Sequence, residues 1–411
     1  MSLAALLLAL LACRHPPEPV SARVGEADFS RYVAIGNSLT AGVMNGGLYR
    51  SGQVGSYPNL LAQQFNRAGG GDFAQPLFAE GQENGSGYLQ LSSSTTLALA
   101  PVTDNLAIRS SSPLLYTKFS GPNQNLGIPG IRLSDIALRG YGSAQGNAFF
   151  ERLLPAGAEQ KTYLEAIADS KPTFFTCWLG TNDVQNFVTS GGVKPITQDS
   201  TFKLACQQLL KTLAATGARG VVANLPDPTL LPLLMLPANF MAFRRDIARY
   251  WITTGKGEVR MATENDLILT TADSIGFLSR AGFPKGFFRN HPLNNDDLLD
   301  ADEIERAKAA VAAFNAILVA ETKVYGWPVM DAKALFFRLK LGTAEDRITL
   351  DTDLFKGGQI STTSVFSLDG IHPNPRGYAL IANEYIKVIN ETYKSRVPRL
   401  DVSEYSGIKR K

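Results

Sequence analysis

Few cysteines, few histidines and no long apolar segment are the first features of this 411-residue sequence. Its three cysteines form no Cys-x-x-Cys pair, which excludes a disulfide scaffold and a zinc site of that type. The N-terminal apolar run, residues 1–12, is too short to cross ~30 Å of hydrocarbon, so no permanent transmembrane helix is expected there. Lys and Arg number 40 against 37 Asp and Glu, a net charge of +3. This lacks the basic excess of a dedicated nucleic-acid binder.

The composition is otherwise that of a globular, enzyme-sized protein. Apolar residues make up 45% of the chain and aromatic residues 9%, too many for a mainly disordered protein. Charged residues make up only 19%, below the ~25% usual for soluble domains. Much of the polar surface must therefore come from Ser, Thr, Asn, Gln and the backbone.

The N-terminal segment indicates export. Residues 1–12 read MSLAALLLALLA, which is typical of the apolar part of an export signal. The four residues ending in Cys13 resemble a bacterial lipoprotein cleavage site, at which Cys13 becomes the lipidated first residue. Residues 13–28 would then be a Pro-rich spacer, and the protein would be a membrane-anchored lipoprotein (periplasmic, outer-membrane or cell-surface) or secreted. A disordered, buried or tag-derived tail is the alternative.

Short apolar runs alternate with longer stretches of helical periodicity. Strands are predicted at 32–35, 173–178, 220–225 and 327–331, and helices at 58–67, 162–170, 201–215, 301–323 and 375–393. Continuous apolar strands that alternate with helices are typical of a parallel sheet covered on both faces. The sequence therefore predicts an α/β fold.

Two long stretches interrupt this alternation. Residues 69–125 are rich in Gly, Ser, Asn and Thr, and residues 228–300 begin with an apolar run that contains three prolines. A structureless loop of such length is improbable, so the first is expected to hold a few irregular strands. We predict one discontinuous domain over residues 29–395 with these two insertions, followed by a C-terminal tail, 396–411.

Two segments carry candidate catalytic side chains. Ser38 lies between Gly36 and Gly42, just after the first predicted strand, where open α/β sheets place reactive groups. Asp369 precedes His372 by three residues in a Gly- and Pro-rich loop, a spacing at which a carboxylate can orient an imidazole. Each has a plainer explanation, namely a helix cap for Ser38 and a lone surface histidine for His372.

Two further segments offer hydrogen-bond donors. Asn182 follows the second predicted strand in the sequence Gly-Thr-Asn-Asp, and Gly130 ends a glycine-rich turn that begins at Asn125. Such donors stabilise the oxyanion that forms when a serine attacks an ester. Taken singly, each is more simply explained as a turn residue.

Taken together and in this order, these segments resemble the four conserved-sequence blocks of the SGNH hydrolases, the GDSL esterase/lipase family. Gly36-Asn37-Ser38-Leu39 is similar to the first block, with Asn37 where many members carry aspartate, and Gly130 to the second. Asn182 is similar to the third block and Asp369-Gly-Ile-His372 to the last. The layout looks most like the enlarged lipoprotein members found in Bacteroidetes.

This resemblance implies a flavodoxin-like three-layer α/β/α sandwich and ester hydrolysis through an acyl-enzyme, with no metal or cofactor. By the same resemblance, Ser38 would be the nucleophile, His372 the general base and then acid, and Asp369 the residue that orients the imidazole. The backbone N–H groups of Ser38 and Gly130 and the Asn182 side chain would form the oxyanion hole. The expected substrate is a small-molecule, glycan or lipid ester.

Several alternatives remain open at this stage. The protein could be a carbohydrate O-deacetylase, or a non-catalytic surface lipoprotein that binds glycans or lipids, although binding alone needs no triad. The apolar run 229–243 could line an acyl pocket, form a lid or belong to the core. Acidic residues 294–303 could suggest calcium but are better explained by the following helix. Cys177 and Cys206 are expected to be inert buried thiols, with a disulfide between them left open.

Overall fold

The computed structural model describes residues 21–92, 99–237, 250–272, 285–356 and 359–408. The predicted export signal, Cys13 and the first part of the spacer lie outside the described residues, as do 238–243 of the apolar run. None of the helices within the described ranges is long and apolar enough to span a membrane.

The core of the fold is a sheet of five strands. They are β1 Tyr32–Gly36, β2 Asn125–Gly127, β3 Phe174–Trp178, β4 Arg219–Ala223 and β5 Val329–Met330. Their spatial order is β5-β4-β3-β1-β2, and every neighbouring pair is parallel. This is the flavodoxin-like order, so the predicted α/β fold with a parallel sheet is confirmed.

Helices cover the sheet. In chain order they are α1 Ser38–Ala41, α2 Arg50–Val54, α3 Tyr57–Arg67, α4 Ala148–Leu153, α5 Tyr163–Ser170, α6 Asn182–Val188, α7 Asp199–Ala215, α8 Ala301–Val324, α9 Ala332–Leu341 and α10 Pro375–Tyr393. Helix α3 packs against α10, and α7 packs against α5 and α8. The apolar residues of β1 and β3 are wholly buried between these helices, as continuous apolar strands require.

The acidic segment before α8 caps the N-terminus of that helix. Asp300 Oδ1 accepts the backbone N–H of Glu303 at 3.0 Å, and Glu303 Oε2 accepts that of Asp300 at 3.0 Å. This capping box satisfies two backbone donors at a helix start. Among the described residues, no group of His, Cys, Asp and Glu side chains could hold a metal ion.

Both insertions contain short antiparallel strands. In the first, Tyr88–Leu91 pairs with Leu99–Val102 and Ile108–Ser111 with Leu114–Tyr116. In the second, Leu267–Leu269 pairs with Leu234–Met235 and Leu298–Leu299, while Trp251–Thr253 pairs with Val259–Met261. After α9, Thr343–Glu345 pairs with Ile348–Leu350 and Phe355–Lys356 with Gln359–Ile360. The expectation of irregular strands in residues 69–125 agrees with this structure.

The structure differs from the sequence-based assignment in one strand, in several helices and at the domain boundaries. Asn125–Gly127, expected in a turn, is strand β2, because its backbone pairs with β1. Helices α2, α4, α6 and α9 were not predicted. The assigned spacer and tail also contribute to the domain: Ala27 is buried, and Val397, Leu400 and Val402 are buried within residues 396–408. Their apolar side chains pack on the main core, so the folded domain reaches beyond 29–395.

Cys177 on β3 and Cys206 on α7 are both free and buried. Burial raises the pKa of the Cys177 thiol well above its usual value and that of Cys206 to about 12. Since the thiolate is the reactive form, both thiols are chemically inert in the folded protein. The question of a disulfide between them is thereby answered in the negative.

Gly127 illustrates how closely α1 sits on the sheet. A Cβ atom at this position would lie 2.3 Å from the backbone nitrogen of Ala41 in α1. We therefore expect Gly127→Ala to displace α1 and to lower the free energy of unfolding by about 1–3 kcal/mol. Urea denaturation followed by circular dichroism measures this change.

Gly55→Ala is the matched control. The φ angle at Gly55 is −82°, and a Cβ there would be 3.4 Å from its nearest neighbour, the Ser51 carbonyl oxygen. This substitution should leave stability unchanged or raise it slightly. Equal stabilities of the two variants would contradict the close approach of α1 to β2.

Candidate active site

Three candidate residues follow three neighbouring strands of the sheet. Gly36 at the end of β1 lies opposite Gly127 of β2 and Trp178 of β3, so the three strands end level with one another. Ser38, Gly130 and Asn182 come two, three and four residues after these positions. Because the strands are parallel, the structure brings all three to the same carboxyl edge of the sheet, where open α/β folds bind ligands.

Ser38 is the first residue of α1 and is 9% exposed. The Asn37 side chain caps this helix, since its Oδ1 accepts the backbone N–H of Leu39 at 3.0 Å. Gly42, with φ 90°, ends the helix after four residues. Asn37 thus supplies the oxygen that a local cap requires. Within the described part of the chain, neither the Ser38 hydroxyl nor its backbone N–H is hydrogen-bonded to protein.

The structure pairs Asp369 with His372. Asp369 Oδ2 lies 2.8 Å from His372 Nδ1, and only 9% and 12% of these two side chains are exposed. Asp369 Oδ1 accepts the backbone N–H groups of Ile371 and His372, each at 2.9 Å. Since a carboxylate can only accept, Nδ1 carries the proton in this contact and Nε2 of a neutral ring is left as an acceptor.

The charge of Asp369 is stabilised by its neighbours. Burial raises the pKa of this carboxyl, but its electrostatic attraction to His372, the hydrogen bond to the His372 ring and the backbone N–H groups outweigh burial. The pKa of Asp369 therefore lies below its usual value. The stabilisation that Asp369 contributes is therefore fully present at pH values above the pKa that Asp369 has in the unfolded chain. It is lost as the pH falls through the lower pKa that Asp369 has in the folded protein.

The loop after α1 connects Ser38 to this pair. Within the described residues, no hydrogen bond joins Ser38 Oγ to the His372 ring. The connection is through the backbone: the Val43 N–H donates to the Ser38 carbonyl at 3.0 Å, and the Tyr378 hydroxyl donates to the Val43 carbonyl at 2.7 Å. Catalytic hydrogen bonds are often long or poorly aligned until substrate binds, so the contact between these two side chains is expected in the substrate complex.

Asn45 and Gly46 in the same loop contact the Asp369–His372 loop directly, and sequence reasoning missed both. The Gly46 N–H donates to Asp369 Oδ2 at 2.6 Å, and Asn45 Oδ1 accepts the N–H of Leu368 at 3.0 Å. Their φ angles, 52° and 79°, are those of an Asn-Gly turn. The Asn-Gly dipeptide predicts such a turn, but nothing local indicates which carboxylate it meets.

Gly130 and Asn182 lie close together through Ile131. Gly130, with φ 84°, follows Pro129 in a tight turn closed by the Ile131 N–H on the Ile128 carbonyl at 3.2 Å. Asn182 Nδ2 donates to the Ile131 carbonyl at 2.9 Å, which orients the carboxamide and uses one of its two hydrogens. Among the described residues, the second Nδ2 hydrogen and the Gly130 N–H have no acceptor.

The next residue, Asp183, holds the same loop in place. Its Oδ2 accepts the Leu133 N–H at 2.6 Å and its Oδ1 accepts the Ser134 N–H at 3.3 Å. Burial raises the pKa of Asp183 despite these hydrogen bonds. Asn182 and Asp183 together therefore fasten residues 131–134 to the start of α6.

Both insertions border the Asp369–His372 loop. The Leu89 N–H donates to the Asn45 carbonyl at 2.7 Å, and Leu91 packs with Leu368 in a small apolar cluster. From the second insertion, the Leu233 N–H donates to the Gly370 carbonyl at 3.0 Å. Leu233 is buried in the main core, so this part of the apolar run 229–243 is core.

No curated protein sequence matches the chain. Solved structures to which it is similar include an alpha/beta hydrolase enzyme from the metagenome of Lake Arreo, Spain (12% identity, 89% of this chain and 96% of that chain, TM-score 0.41). They also include the lipase/acylhydrolase from Enterococcus faecalis (10% identity, 90% of this chain and 98% of that chain, TM-score 0.35). A third is a carbohydrate esterase family 3 protein from Talaromyces cellulolyticus (12% identity, 88% of this chain and 98% of that chain, TM-score 0.33). These similarities by themselves assign no activity.

The family is assigned by sequence. Residues 32–385 match the GDSL-like Lipase/Acylhydrolase family, and this stretch contains Ser38, Gly130, Asn182 and the Asp369–His372 pair. The matched region also includes all five strands of the central sheet. The chain therefore belongs to the GDSL-like lipase/acylhydrolase family and is a hydrolase of ester bonds.

Proposed function

We propose that this protein cleaves carboxylic esters through an acyl-enzyme on Ser38, with His372 as the proton carrier. The observation that carries the proposal is the 2.8 Å contact between Asp369 and His372, joined by the Gly46 N–H to the loop that follows Ser38. A carboxylate in this position keeps the imidazole in one tautomer and stabilises it when it becomes charged.

The reaction proceeds in two halves. Ser38 Oγ attacks the ester carbonyl carbon while His372 Nε2 takes the hydroxyl proton. The tetrahedral intermediate then expels the alcohol, which receives that proton from His372, and an acyl-Ser38 ester remains. A water molecule, deprotonated by His372, attacks the acyl group, and the carboxylic acid leaves as Ser38 regains its proton.

The oxyanion of each intermediate would lie between the Ser38 and Gly130 N–H groups and the free hydrogen of Asn182 Nδ2. Three features support this: the donors share one sheet edge, none of the three has a protein acceptor among the described residues, and Asn182 is oriented by Ile131. Loss of one such donor costs about 2.7–4 kcal/mol of transition-state stabilisation in serine hydrolases.

The surroundings of the site favour an apolar acyl group over an acetylated sugar. The side chains of Leu89 and Asp369 both lie within 3.9 Å of the position that a Cβ would take at Gly46. Leu89 packs against a small cluster of buried apolar side chains, Leu91, Ile360 and Leu368. An acyl chain would bury itself against these leucines. The carbohydrate O-deacetylase alternative predicts instead that acetyl esters of sugars are preferred.

We also propose that the protein is exported and anchored to a membrane by a lipid on Cys13. This rests on the sequence of residues 1–13 alone. More than one acyl chain gives stable anchoring, because each buried CH₂ contributes ~0.8 kcal/mol.

Replacing the proposed nucleophile should abolish turnover. Ser38→Ala is expected to lower kcat for p-nitrophenyl butyrate by about four orders of magnitude or more, because no hydroxyl remains to be acylated. A fluorophosphonate should label wild-type Ser38, as mass spectrometry of the modified peptide measures. Ser51→Ala, at an exposed position of α2, is the control and should leave both results unchanged. Unaltered turnover in Ser38→Ala would remove Ser38 from the mechanism.

Asp183 should act as a positioning residue for the oxyanion hole. In Asp183→Asn the Nδ2 group cannot accept a backbone N–H, so one of the two hydrogen bonds from residues 133 and 134 to this side chain is lost. We expect kcat to fall about 10-fold with little change in KM, since a misplaced donor affects the transition state more than substrate binding. Steady-state kinetics measures the two constants separately. Asp169→Asn, at an exposed position of α5, is the control.

The same variant tests the electrostatics of the loop. Because burial raises the pKa of Asp183, the folded protein holds this proton more tightly than the unfolded chain, and ionisation costs stability as the pH rises. The free energy of unfolding of Asp183→Asn relative to wild type should therefore increase from pH 4 to pH 7. Urea denaturation at each pH measures it. A difference that is constant with pH would contradict the raised pKa.

Acyl-chain preference separates the two substrate classes. With p-nitrophenyl esters from acetyl to dodecanoyl, and with acetylated xylan, we expect kcat/KM to be higher for octanoyl than for acetyl esters and low for xylan. Leu89→Asn should lower the octanoyl-to-acetyl ratio about 10-fold, because the chain loses an apolar contact. Leu99→Asn, exposed on the paired strand, is the control. Acetylated xylan as the best substrate would favour the O-deacetylase.

A further inference from the structure

The peptide group between Pro129 and Gly130 carries one of the three proposed oxyanion donors, the Gly130 N–H. It is the central peptide of the turn that the Ile131 N–H closes on the Ile128 carbonyl at 3.2 Å. Pro129 is the second residue of this turn and Gly130, with φ 84°, is the third, as in a type II turn. Types I and II differ by a rotation of the central peptide through roughly half a turn. The direction of the Gly130 N–H therefore depends on which form the turn adopts.

The two central residues of the turn are compatible with both forms. Proline is favoured at the second position of type I and of type II turns, and glycine adopts positive and negative φ with similar ease. A hydrogen bond from outside the turn to its central peptide therefore decides between the two forms.

Asn147 makes such a hydrogen bond. Its Nδ2 donates to the Pro129 carbonyl at 2.8 Å and to the Tyr141 hydroxyl at 3.1 Å. Its Oδ1 accepts the backbone N–H groups of Phe149 and Phe150, each at 3.0 Å. Both hydrogens and the oxygen of this carboxamide are thus used, and only one orientation of the group satisfies all four contacts.

Asn147 is itself held in place by helix α4, of which it is the N-cap residue. On this helix Phe150 is buried and makes an edge-to-face contact with Tyr163, with 5.8 Å between the ring centroids. The Tyr163 hydroxyl accepts the N–H of Gly36, at the end of β1, at 3.1 Å. The start of α4 is therefore linked to the end of the strand that precedes Ser38.

We propose that Asn147 is a positioning residue for the oxyanion hole. The Pro129–Gly130 peptide is trans, so its carbonyl and its N–H point in opposite directions. By binding the carbonyl, Asn147 fixes the N–H in the direction that the type II turn gives it. A peptide whose carbonyl accepts a hydrogen bond is also more polarised, so the same contact strengthens the Gly130 N–H as a donor. This role rests on the function proposed above, because it needs an oxyanion.

Asn147→Ser tests the proposal without removing the helix cap. Serine is an equally good N-cap residue, but its Oγ takes the place of the asparagine Cγ, one bond short of the nitrogen that reaches Pro129. We expect kcat for p-nitrophenyl butyrate to fall about 10- to 100-fold and KM to change by less than about 2-fold, since the oxyanion is absent from the ground state. Asn147→Asp, which keeps the shape and the cap but cannot donate, should also lower kcat.

Asn390→Ser is the matched control. Asn390 Nδ2 also donates to a backbone carbonyl, that of Val397 at 3.0 Å, but near the C-terminal end of α10. This variant should lower the melting temperature and leave kcat unchanged. Circular dichroism on heating and steady-state kinetics measure both quantities for all variants.

A double-mutant cycle tests whether Asn147 acts through Gly130. Gly130→Ala disfavours the positive φ of the type II turn, while its Cβ has room, at 3.6 Å from Asn147 Nδ2. Both substitutions then affect the same donor. Adding Asn147→Ser to Gly130→Ala should therefore lower kcat by less than about 3-fold.

Two results would overturn the positioning role. They are wild-type kcat in both Asn147 variants, or an equal effect of Asn147→Ser in the wild-type and Gly130→Ala backgrounds. Failure of the proposed function has a different signature: wild-type protein would show no turnover and no labelling of Ser38 by the fluorophosphonate, and the role of Asn147 would be refuted with it.

Discussion

The Asp369 carboxylate is the group on which the geometry of the site depends. It accepts hydrogen bonds from Gly46, in the loop after α1, and from the backbone and ring of His372, near the start of α10. One buried charge thus joins two parts of the chain that are more than 300 residues apart. Its lowered pKa shows that these donors outweigh the cost of burial.

The parallel sheet positions the remaining candidate site residues. Because β1, β2 and β3 are parallel and end level, Ser38, Gly130 and Asn182 reach the same edge without long connecting loops. Asn182 and Asp183 then tie the loop after β2 to α6. The insertions lie outside this frame and are attached to it at many points. The Leu89 and Leu233 N–H groups donate to its loops, Phe78 packs with Ala41 and Val43, and Leu299 belongs to the main core.

Much of the architecture could be predicted from the sequence, since β1, β3 and β4 are apolar runs and α7, α8 and α10 have clear helical patterns. Strand β2 could not, because Asn125–Gly127 has three residues and becomes a strand only by pairing with β1. Candidate site residues were found because each follows a strand or lies in a loop with unusual composition. The contact of Gly46 with Asp369 could not be found, because it depends on how distant loops pack.

The separation of Ser38 from His372 along the chain has a consequence for protein synthesis. A ribosome must add almost the entire domain before the residues from Ser367 to His372 emerge and dock on the turn at Gly46. Nascent or prematurely terminated chains would carry the serine without its imidazole partner. If the proposed mechanism holds, such incomplete chains are inactive, and the cell that makes the protein is not exposed to esterase activity from unfinished molecules.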